Sequence, residues 1–139
     1  MVLVDGQGVP LGVCVEAATL AEVALAERTI AQVRVPRRGP GRPRTKPTRL
    51  VADRGYDSRA LWERLKRRGI DLIVPHLRTR KRRWQDGRKL RRYRHRWIVE
   101  RTNAWLHSFR RLVTRYERRS DIYLAFLHVA CLLISLRRF

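Results

Sequence analysis

Acidic residues are scarce in this sequence. Only 12 Asp and Glu stand against 33 Lys and Arg, which gives a formal net charge of +21. Self-repulsion of that size opposes folding, so the excess points to a polyanionic partner. Nucleic acid is the first candidate and an anionic membrane surface the second. Lysine is scarce too, and nearly all the cations are Arg. The forked guanidinium suits phosphate, which favours a phosphate-tracking surface over simple solubility. A genome that prefers Arg codons would explain the Arg-to-Lys ratio but not the net charge. Cysteine occurs twice, as Cys14 and Cys131, far apart and each inside an apolar run. Buried thiols are expected, and no CxxC or Cys/His ligand spacing suggests zinc. Long hydrophobic runs are missing. The longest, Ile122 to Leu136, falls short of the ~18 residues of a membrane span and contains His128 and Ser135. No basic segment followed by an apolar core opens the chain, so no signal peptide is expected. These absences predict a cytoplasmic protein with no membrane role, and 139 residues leave room for one domain.

What is present reads as alternating strands and helices. Met1 to Val4 and Val9 to Val15 flank the turn Asp5-Gly6-Gln7-Gly8 and predict a β-hairpin. Thr19, with Glu22 three residues on, predicts the start of a helix running to about Val33. Residues 36–48 hold four prolines and a cluster of Arg, so they form a basic loop. Its Gly41-Arg42-Pro43 core resembles the AT-hook, a short extended element of the DNA minor groove; a solvated linker is the alternative. Leu50-Val51-Ala52 is a short strand ending at Asp53. Ser58 caps a helix over 59–68, Gly69 ends it, and Asp71 to Val74 is a second strand. This spacing predicts a βαβ unit with a parallel pair.

From Arg78 to Arg119 there are 17 Lys or Arg and only three acids, Asp86, Glu100 and Glu117. A basic loop over 76–91, with Arg80, Lys81, Arg82 and Arg83 as phosphate contacts, precedes a long Glu-bearing helix over 92–112. The stripe expected on that helix is Ile98, Thr102, Trp105, Phe109 and Leu112. A helix over 120–137, nearly all apolar, is expected to lie buried against the sheet. Trp97 is expected to pack; Trp84 either packs or stacks on a base.

Two acids stand out. Asp53 sits where a strand ends, and sites in open α/β sheets form at such ends. Asp53 and Asp57 could instead be turn formers or caps. Glu100 is the lone acid between Gly87 and Tyr116. On a helix it shares a face with Tyr93, Arg96 and His107. The plain reading is an i,i+4 surface ion pair with Arg96; the functional one is a carboxylate kept for a divalent metal, since Mg²⁺ and Mn²⁺ take oxygen ligands. Two such metals about 4 Å apart can clamp the attacking and leaving oxygens of a phosphodiester, and two carboxylates are thin coverage for them.

The run Val51-Ala52-Asp53-Arg54-Gly55-Tyr56-Asp57-Ser58 resembles the AD(K/R)GYDS segment of DDE transposases of the insertion-sequence four and five families. Tyr93-x2-Arg96-x3-Glu100-x6-His107 resembles their Y(2)R(3)E(6)K signature, with His107 in place of Lys. The resemblance covers essentially the whole chain. It implies an α/β, ribonuclease-H-like mixed sheet with flanking helices that lacks its first strand. It also implies Mg²⁺- or Mn²⁺-dependent cutting and joining of DNA at transposon ends and target. Asp53 would be the second acid of the triad and Glu100 the third, both catalytic and metal-holding. Tyr93, Arg96, Arg101 and His107 would lie near the DNA. The first acid has no counterpart, because Asp5 falls in the hairpin turn. A decayed gene or the downstream half of a two-frame enzyme is therefore implied. Its partners would be an upstream-frame product or second subunit, at the bacterial nucleoid, and it would be inactive alone. The competing expectations are a non-catalytic nucleic-acid binder and a ribosome-type basic structural protein.

Overall fold

The computed structural model describes residues 1–16, 22–81, 83–85 and 87–138. Thr19, Arg82 and Asp86, singled out above, lie outside the described residues. Strands β1 (Val2–Val4) and β2 (Pro10–Val13) pair antiparallel, as the hairpin pattern predicts. Asp5 closes the turn, with Oδ1 accepting the N–H groups of Gln7 and Val9 at 2.8 Å each. Helix α1 (Glu22–Ala31) follows. Strand β3 (Arg49–Val51), a 3₁₀ turn (Arg54–Tyr56), helix α2 (Arg59–Arg67) and strand β4 (Asp71–Ile73) form the predicted parallel βαβ unit. Ser58 caps α2, its Oγ accepting from Leu61 N–H. Leu61 and Leu65, four apart, are wholly buried on one face of α2. Each such side chain contributes about 2–3 kcal/mol of burial.

The expected single mixed sheet is not what forms. The described strands make two separate two-stranded sheets, one antiparallel and one parallel. No backbone ladder joins them. They are united by a shared apolar core, in which Leu3 of the hairpin meets Leu50 and Leu72 of the parallel pair, with Ile30, Leu61 and Leu65 from α1 and α2.

The expected continuous helix over 92–112 is also broken. Residues Gly87–Arg96 form a 3₁₀ helix, α3 spans Trp97–His107, and α4 spans Arg110–Val113. The 3₁₀ segment has no buried residue. Its run of cations puts like charges three and four apart and offers almost no apolar stripe to pack, so nothing favours a regular α-helix there. The second break falls at Phe109, whose backbone is extended (φ −87°, ψ 105°). That turn lets Phe109 and Leu112 join the second core cluster, with Leu106 of α3. The stripe on α3 is accordingly narrower than expected, with Thr102 and Leu106 buried.

Helix α5 (Ser120–Leu136) appears where expected. It is buried on one face only. Leu127, Ala130, Cys131 and Ile134 pack inward, while Val129, Leu132 and Leu136 are more than half exposed. Its inward face rests on α3, α4 and β2, and the other side is open among the described residues. Both cysteines are buried, and desolvation pushes the Cys131 thiol up to about 11. No helix among the described residues is long and apolar enough to cross a membrane.

Candidate functional site

Asp53 leaves β3 in extended conformation and begins the 3₁₀ turn. Its Oδ1 accepts the N–H of Gly55 at 2.9 Å, so one carboxylate oxygen organises its own turn. The side chain is partly buried. The turn places Asp57 four residues on, in very different surroundings.

Among the described residues Asp57 is the most heavily bonded acid. Its side chain is fully buried, and it accepts from Leu77 N–H at 2.7 Å and from Arg80 Nε at 2.9 Å, with His76 Nδ1 at 3.1 Å. Arg80 also donates through Nη2 to the Asp57 carbonyl at 2.8 Å. Burial alone would push this carboxyl up; the bonds from Leu77, Arg80 and His76, with the Arg80 charge, outweigh it and hold the carboxyl below its ordinary value. Trp84 completes the cluster, with the Arg80 guanidinium 4.0 Å over its ring and His76 packed edge-on at 4.6 Å. Trp84 therefore packs. Arg80, expected at phosphate, is occupied by Asp57, whereas Arg78, Lys81 and Arg83 are exposed.

Glu100 lies on the first turn of α3, exposed. Its Oε1 takes both Nε and Nη2 of Arg96, and Arg96 Nη1 donates to Tyr93 Oη at 2.9 Å. The bonds to Glu100 and Tyr93 hold the guanidinium firmly protonated. Three of the four signature residues are thus knitted together. The fourth, His107, is exposed at the end of α3 and makes no hydrogen bond to described residues. The 3₁₀ segment carrying Tyr93 and Arg96 packs along β3 and β4, and Lys89 fastens it to Asp71 at 2.8 Å.

Arg101 is drawn inward. Its Nη2 donates to the Gln7 carbonyl at 2.6 Å, and its guanidinium stacks on Trp97 and Trp105, 4.8 Å from each ring. Next to it Thr102 Oγ1 donates to the Gly8 carbonyl at 2.8 Å. Gly8 has φ +87°, and a Cβ there would come within 2.9 Å of that hydroxyl, so only glycine admits this approach. Trp97, expected to pack, stays half exposed, with the Arg101 guanidinium over its ring. Arg42 is exposed in the proline-rich loop.

Asp53 and Glu100 are not linked by a hydrogen bond, and the described residues contain no group of three or more side chains able to hold a metal. Asp57, passed over as a turn former, was not recognisable from local sequence. Its partners lie about twenty residues away in a loop with no periodicity.

Residues 1–135 match the transposase DDE domain family, and the chain belongs to that family. It is 41% identical over 140 residues to a protein designated as the candidate transposase of insertion sequence element IS402 from Burkholderia cepacia. That match takes in 99% of this chain, which spans 63% of the relative's length. No solved structure matches.

Proposed function

We propose that this chain is the C-terminal catalytic part of an insertion-sequence transposase, ribonuclease-H-like in fold, that binds transposon ends and takes part in cutting and joining DNA. The Tyr93–Arg96–Glu100 bond network carries this reading. It brings a lone acid and its signature partners to the start of a helix that follows a segment packed on the Asp53-ending strand.

Asp53 and Glu100 suit Mg²⁺ or Mn²⁺ in donor type. Asp53 has its Oδ2 and Glu100 its Oε2 left without a hydrogen bond to described residues. A divalent ion at such carboxylates would lower the pKa of an attacking water or 3′-hydroxyl and steady the leaving oxygen. Two carboxylates are thin coverage for two metals, and a further acid, from an upstream-frame product or second subunit, would complete the set. The chain's own part is to hold the two acids and a phosphate-binding surface: Lys81 and Arg83 at the basic loop, with His107 on α3. Arg96 orients Glu100 and competes with metal for it.

The test is a double substitution, Asp53→Asn with Glu100→Gln, read by Mn²⁺ binding, duplex-DNA affinity and thermal stability. Loss of Mn²⁺ binding with DNA affinity kept or raised is expected, because two charges that repel phosphate are gone. Unchanged Mn²⁺ binding with lowered stability would sink the reading. That outcome would favour a non-catalytic nucleic-acid binder.

A further inference from the structure

We infer that the exposed loop at 36–43 is a minor-groove clamp for A·T-rich duplex DNA, with Arg42 as the inserted side chain. Four observations carry this. First, the loop is built rather than loose. Val35 and Arg44 exchange both backbone hydrogen bonds, at 2.9 and 2.8 Å, and close its base. Just beyond, Lys46 Nζ donates to the Arg68 carbonyl and fastens the exit to the end of α2.

Second, its charge is unopposed. No acid occurs between Glu27 and Asp53. The side chains of Arg37, Arg38, Arg42 and Arg44 are exposed and make no ion pair or hydrogen bond to described residues. The four guanidiniums crowd one short exposed stretch with no carboxylate in it to neutralise them.

Third, its shape fits a narrow slot. The minor groove is about 6 Å wide and about 7.5 Å deep, too narrow for an α-helix of about 10 Å diameter. The loop presents Gly39 and Gly41, with no side chains, beside Pro36, Pro40 and Pro43. Gly41 turns the tip at φ +129°, a conformation other residues rarely adopt. Eight residues out and back from the bridge reach about 13 Å, more than the groove's depth. The prolines restrict φ before binding, so less entropy is lost on insertion.

Fourth, the alternatives are weaker. The loop holds no aliphatic or aromatic side chain to enter a bilayer. A mere phosphate tether would not need glycine and proline around one Arg. A·T-rich tracts narrow the minor groove and deepen its negative potential, which is what an inserted guanidinium detects.

This inference rests on DNA being the partner but not on the metal site. The test uses the whole chain and three duplexes of equal length, A·T-rich, G·C-rich and inosine·C, in fluorescence anisotropy at fixed salt. Inosine·C keeps the major-groove pattern of G·C but lacks the minor-groove amino group. About tenfold tighter binding to A·T-rich and inosine·C than to G·C-rich duplex is expected. Arg42→Ala should erase that preference without moving the thermal melt. Arg83→Ala should weaken all three duplexes alike and keep the preference. Asp53→Asn with Glu100→Gln should also keep it, which separates this inference from the fate of the cleavage reading. Equal affinity for all three duplexes would overturn the inference, as would inosine·C behaving like G·C or a preference surviving Arg42→Ala.

Discussion

Asp57 shows how one buried charge can govern a basic segment. It fastens Leu77, His76 and Arg80 to the turn that begins at Asp53. Breaking a buried pair leaves the remaining partners short of an acceptor, and Asp57→Asn should cost about 2–3 kcal/mol at neutral pH. The pH dependence has a definite sign. Because the folded carboxyl lies below its ordinary value, its stabilisation is present above about pH 4 and is lost as pH falls through the lowered folded value. Urea unfolding of wild type and Asp57→Asn should therefore differ at pH 7 and converge in strong acid. A gap that stays constant across that range would contradict the role given to this charge. Asp57 also marks a boundary of sequence reading. Ser58 was legible as a cap because its partner is three residues away, and the Arg96–Glu100 pair because helical spacing brings four apart together. Asp57 was not, because its acceptors' partners lie across an irregular loop. Arg80 and Arg101 were expected at phosphate for the same reason: composition counts charges but not the carbonyls and rings that occupy them.

Among the elements, the hairpin, the parallel pair and α5 were all readable, since each has a local period or a cap. The break between α3 and α4 was not, because the residues around Ser108 continue a helical pattern and only the pull of the second core on Phe109 and Leu112 interrupts it. Nor was the one-sided burial of α5, because an all-apolar helix gives no hint of which face finds a neighbour. The two faces make a clear prediction. Leu127→Ala or Ile134→Ala removes packing from the core and should cost about 2–4 kcal/mol. Leu132→Ala or Leu136→Ala, on the open side, should change stability by about 0.5 kcal/mol or less. Denaturant midpoints measured side by side check this, and equal losses on both faces would mean the helix is covered in solution.

For the whole molecule the net charge of +21 dominates. Neutralising about six phosphates gives a loss of roughly 10³ in duplex affinity between 50 and 200 mM salt. A titration across that range should show it, and a flat response would exclude phosphate tracking. Charge and family were legible from composition and two motifs, but the division into two small sheets was not. Strand propensity predicts strands, and only backbone pairing decides which of them share a ladder.

The anchoring of α3 on the first turn spans nearly the entire chain: Thr102 and Arg101 grip Gly8 and Gln7 across 94 residues. During synthesis at about 5–20 residues per second the opening hairpin therefore stands ready for roughly 5–20 s before its clasp emerges. Closing so wide a circuit comes late and slowly.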